Sequence, residues 1–75
     1  MSFRINFTLN RRDYTALVTE EAINGSHMWV LELDNGNIYL FSKEAKGWHC
    51  PELGKDTCRT IGKAIDAGLA ELELH

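Results

Sequence analysis

Two Asn-Gly dipeptides, Asn24-Gly25 and Asn35-Gly36, restrict this chain more than any other feature of its sequence. Both central residues of a type I′ turn need positive φ, which Gly adopts freely and Asn tolerates better than most residues. Such a turn fixes which residues face each other across a hairpin. A slip of one residue then exchanges the two faces of a strand, so turn positions can be checked against the hydrophobic pattern.

Phe3, Ile5, Phe7 and Leu9 alternate with Arg4, Asn6, Thr8 and Asn10, the period-2 signature of a half-buried strand. Asn10-Arg11-Arg12-Asp13 reads as a polar turn, which sets Leu9 opposite Tyr14, Phe7 opposite Ala16 and Ile5 opposite Val18. Placing Asn24-Gly25 at the centre of the next turn pairs Val18 with Leu31, Ala16 with Leu33 and Glu20 with Trp29. Treating Asn35-Gly36 in the same way pairs Leu33 with Ile38, Leu31 with Leu40 and Trp29 with Ser42. One inner face results: Phe3, Ile5, Phe7, Leu9, Tyr14, Ala16, Val18, Trp29, Leu31, Leu33, Ile38 and Leu40.

One later element can cover that face. Cys58, Ile61, Ile65, Leu69 and Leu72 recur at spacings of three and four, with Ala64 and Gly68 alongside, as in an amphipathic helix. Asp56 is the candidate N-cap, and Arg59, Lys63, Asp66 and Glu71 form the solvent face. Gly62 and Gly68 weaken an exposed helix by about 1 kcal/mol each relative to Ala, unless they allow close approach to the sheet. Glu44-Ala45-Lys46-Gly47 resembles a hairpin loop ending in a left-handed Gly, so Trp48-His49-Cys50 reads as a short fifth strand before Pro51 ends pairing. The loop length is ambiguous by one residue, which leaves the face of Trp48 open. The expected fold is α+β: an antiparallel meander of four strands, with a fifth optional, and one C-terminal helix on one face. Residues 1–75 form a single domain, with strands at about 2–10, 14–23, 26–34, 37–43 and 48–50 and a helix at about 56–72.

A chain of 75 residues has room for one core. Its 44% hydrophobic and 25% charged residues are ordinary for a folded domain. The apolar runs are far shorter than the roughly 20 residues that span a bilayer, and the N-terminus enters the strand pattern without a signal-like apolar stretch. The expectation is a cytoplasmic protein with no membrane segment and with Cys50 and Cys58 as reduced, buried thiols. The net charge of −3 disfavours purely electrostatic attraction to nucleic acid or anionic lipid.

A single helix cannot cover both sides of a sheet. In the register above, the outer face is polar on the first two strands (Arg4, Asn6, Thr8, Thr15 and Thr19, with Leu17). It becomes apolar on the next two, at Met28, Val30, Tyr39 and Phe41 around Glu32. The sequence therefore points to a non-enzymatic interaction domain, binding a second copy of itself or another protein through Met28, Val30, Tyr39, Phe41 and Trp48. The alternative is a single-stranded nucleic-acid binder that stacks bases on sheet aromatics beside Arg4, Arg11 and Arg12. Against it, Glu20, Glu21, Glu32 and Asp34 would repel phosphate. His27, His49, Cys50 and Cys58 are zinc-ligand types, but their spacing lacks the short paired step of structural zinc sites. Cys50 or Cys58, the latter near a helix start, is a candidate nucleophile with His49, yet the place of Cys58 on the apolar stripe fits packing better. No phosphate loop or separable pair of catalytic carboxylates is present, so no cofactor, metal or catalytic residue is assigned.

Overall fold

The computed structural model describes residues 2–73. Five strands, β1 (Ser2–Leu9), β2 (Arg12–Ile23), β3 (Ser26–Leu33), β4 (Ile38–Glu44) and β5 (Gly47–His49), precede one helix, α1 (Lys55–Glu73). The strands pair antiparallel in chain order, β1-β2-β3-β4-β5, which is the expected α+β meander with the fifth strand formed. The helix packs against β1 and β5, the two ends of the sheet, so the ribbon curls round it and its outer side is convex.

Three turns set the registers of β1 to β4, each in its own way. Asn24 (φ 51°) and Gly25 (φ 79°) form the two-residue turn, and Val18 pairs with Leu31, Ala16 with Leu33 and Glu20 with Trp29, as the sequence implies. The turn between β1 and β2 is shorter than expected. Asn10 (φ 51°) and Arg11 (φ 65°) close it alone, and Phe7 rather than Leu9 faces Tyr14. A shift of two residues leaves the faces unchanged. It also brings Thr8 to Asp13 (2.7 Å) and Thr15 to Asn6 (2.8 Å) as cross-strand hydrogen bonds, and stacks Phe7 on Tyr14 with centroids 5.5 Å apart. These contacts offset the strain of holding Arg11 in a left-handed conformation.

The third turn corrects the sequence reading. Gly36 donates its N–H to the Leu33 carbonyl (2.9 Å), Leu33 donates to the Asn37 carbonyl (2.9 Å), and Gly36 alone is left-handed at φ 91°. Asp34-Asn35-Gly36 is thus a three-residue loop, a type I turn followed by a left-handed Gly. Trp29 faces Phe41, Val30 faces Leu40, Leu31 faces Tyr39 and Glu32 faces Ile38. The slip of one residue turns β4 over. Phe41, expected outside, is fully buried, and Tyr39 packs against the core. Ile38 and Leu40, expected inside, are 54% and 38% exposed. The observed choice places the larger aromatic pair beneath the helix and buries more apolar area.

The first helical hydrogen bond runs from Cys58 N–H to the Gly54 carbonyl (2.9 Å), so Gly54 is the N-cap and Asp56 sits in the first turn instead. Cys58, Ile61 and Ile65 complete a core with Ile5, Val18, Leu31 and Phe41. Both helical glycines are close-approach points. A Cβ on Gly62 would lie 2.7 Å from Trp48 Cγ on β5, and one on Gly68 would lie 2.7 Å from Phe3 Cε2 on β1. Only a residue without a side chain lets the helix reach both ends of the ribbon.

Candidate interaction surface

Alternation along β2, β3 and β4 builds the outer face in rows. Leu17, Glu32 and Ile38 lie across one row, Thr19, Val30 and Leu40 across the next, and Glu21 stands beside Met28 in the third. Val30, Met28 and Leu17 are partly exposed, and Ile38 and Leu40 are more open still. Leu40, Ile38 and Val30 therefore form an apolar ridge on the convex side, with Glu21 and Glu32 as its flanking charges. Arg4 extends the Leu17 row on β1.

The structure keeps Met28 and Val30 on this face and removes three residues that the sequence placed or left open there. Tyr39 and Phe41 point beneath the helix because of the third turn. Trp48 is also on the helix side. Its ring meets Trp29 edge to face with centroids 4.8 Å apart, lies 5.0 Å from Lys43 Nζ, and touches the helix at Gly62. Its Nε1–H donates to Asp66 Oδ1 (3.1 Å), which also accepts from Lys43 Nζ (2.8 Å). Nor does the fold gather the nucleic-acid set. Arg11 lies in the β1–β2 turn and Arg12 beside it, Arg4 lies on the outer face, and the sheet aromatics lie inside.

The thiols have packing roles. Cys50 and Cys58 are free and buried, and the Cys58 thiol donates to the Cys50 carbonyl at a sulfur-to-oxygen distance of 3.6 Å. Burial pushes the Cys50 thiol above its ordinary pKa, which keeps it protonated and a poor nucleophile at neutral pH. His27 is engaged elsewhere: its ring stacks on Trp29 (4.2 Å) and its Nε2 meets Glu20 Oε2 at 2.6 Å. Among the described residues no group of three or more His, Cys, Asp or Glu is placed to hold a metal ion, and no helix is long and apolar enough to cross a membrane.

A second surface, which the sequence reading passed over as an ordinary solvent face, lies on the other side of the molecule. A groove of about 510 Å³ runs between the β4–β5 turn and the first half of the helix. Lys46, Lys55, Arg59 and Lys63, four of the eight Lys and Arg residues in the chain, line it over a floor that includes Trp48, Pro51 and Leu53. Lys55, Arg59 and Lys63 stand four residues apart, so neighbouring like charges share one stripe and weaken the helix that carries them. That pattern was visible in the sequence as a run of cations at helical spacing without acidic partners four residues away. No family model, no curated protein and no solved structure is similar to this chain.

Proposed function

We propose that this chain is a small non-enzymatic interaction domain that docks another protein on the outer face of its sheet. The observation that carries this reading is the exposed ridge of Ile38 and Leu40 beside Val30, on the side away from α1. Apolar side chains gathered on one uncovered face mark interaction surfaces in small soluble domains. Glu21 and Glu32 on the same face suit a partner whose apolar side chains are flanked by Lys or Arg. A second copy fits less well, because two convex faces touch over little area and would bring like carboxylates together. Burial of both thiols, with that of Cys50 pushed above its ordinary pKa, supports the non-enzymatic part of the proposal, and their free state is in keeping with a cytoplasmic home.

The test titrates isotope-labelled protein with a helical peptide of Leu and Lys, with a Ser and Lys peptide as control, and follows backbone resonances. Shifts confined to Val30, Ile38, Leu40 and their neighbours, lost in Leu40→Glu, are the expected result. No shift, or equal shifts from the control peptide, would remove the reading. Sedimentation over a concentration series reports the second copy: association abolished by Leu40→Glu would assign the face to self-pairing instead.

A further inference from the structure

Independently of the outer face, we infer that the groove between the β4–β5 turn and the first half of α1 binds a short acidic peptide segment of a partner protein. Lys46 reaches it from the turn and Lys55, Arg59 and Lys63 from the helix. The described residues give Lys46, Lys55 and Lys63 no ion pair, and Arg59 only the loose contact with Asp56 at 3.6 Å. Of the two carboxylates lining the groove, Asp66 is held by Lys43 and Trp48, which leaves Glu44 as the only lining anion without an assigned partner. Local positive charge is thus concentrated in a protein whose net charge is −3. The cations also sit where they do the fold no service. Lys55 opens the helix at the end where the peptide dipoles favour an anion, while the last turn carries no cation at all.

The floor and the net charge choose between anionic partners. Pro51 and Leu53 give the groove an apolar base suited to side chains set between carboxylates. Nucleic acid would need an aromatic ring open to stacking, and the Trp48 ring is already taken by Lys43, Trp29 and the helix at Gly62. A long polyanion would in addition meet the field of a negatively charged protein, whereas a short acidic segment senses mainly the groove within a Debye length of about 10 Å.

The experiment uses fluorescence anisotropy of a short labelled peptide of Asp, Glu and Leu, titrated with the whole chain at low and high salt. Lys55→Glu/Arg59→Glu is the disabling variant and Lys55→Ala/Arg59→Ala the milder one, each checked for intact helix by circular dichroism. Binding at low salt that falls as salt rises, and by roughly tenfold or more in the charge-reversed variant, is expected from the loss of several exposed ion pairs. No binding at low salt, or binding by the charge-reversed variant as tight as by the unaltered chain, would overturn the inference. Tighter binding of oligo-dT than of the peptide would overturn it in favour of nucleic acid. Dimerisation of the chain alone, abolished by the same variants, would overturn it in favour of a second copy whose Glu71 and Glu73 enter the groove.

Discussion

The two hairpins that share β3 are each closed by Asn-Gly, and they obey different rules. In β2–β3 both residues of the dipeptide are left-handed and two residues make the turn. In β3–β4 only Gly36 is left-handed, Asp34 joins the loop, and three residues make it. The dipeptide therefore specifies a left-handed Gly but not the number of residues around it. That number decides which face of the following strand is buried. β3 is less ambiguous, because the charge of Glu32 between Leu31 and Leu33 marks the outer face, and Trp29, Leu31 and Leu33 alternate with Met28, Val30 and Glu32. β4 offers Ile38-Tyr39-Leu40-Phe41, apolar at every position, so either face can serve as the inner one and the loop casts the deciding vote.

The sharpest way to break this comparison is to truncate the two competing residues of β4. Phe41→Ala should cost about 3–5 kcal/mol in urea unfolding, as for a fully buried aromatic, while Leu40→Ala should cost about 0.2–1 kcal/mol, the worth of a cross-strand pair. The reverse order would restore the two-residue turn. Next in size, Gly36→Ala should cost about 1–2 kcal/mol, since φ near 91° is available to Gly and strained for Ala. The two asparagines should then separate. Asn24→Ala forces a left-handed Ala and should lower stability by about 1–2 kcal/mol, whereas Asn35→Ala loses only the bond from Asn37 N–H to Oδ1 (3.0 Å), about 0.5–1 kcal/mol. The smallest effect is expected from removing Asp34. Asn35-Gly36 then closes a two-residue turn with Leu33 still opposite Asn37, Phe41 stays inside, and stability changes by roughly 0.5 kcal/mol or less. A large loss of near-ultraviolet circular dichroism on that deletion would show that the loop does more than set register.

Much of the architecture was legible because independent signals agreed. Strict alternation in β1 made its inner face secure even though the turn after it was two residues shorter than read, since an even shift keeps parity. The apolar stripe from Cys58 to Leu69 located the helix to within a residue at each end. Trp48 was undecidable for a specific reason: its face depended on the residue count of the Glu44–Gly47 loop, just as the count in the Asp34–Gly36 loop misplaced Phe41. The outer surface was legible as a region and wrong in its membership, because Tyr39 and Phe41 exchanged places with Ile38 and Leu40. The cationic groove escaped because helix periodicity was used to find the core. The stripe at Lys55, Arg59 and Lys63 gains its meaning only when the β4–β5 turn brings Lys46 across from it.

Gly62 and Gly68 carry one more consequence, in time rather than in space. The helix is made after all five strands, yet through these two contacts it grips Trp48 on β5 and Phe3 on β1. During synthesis the early hairpins must wait, greasy side uppermost, until the helix emerges from the ribosome and seals them. A message cut short before Gly68 would release a ribbon with no clasp.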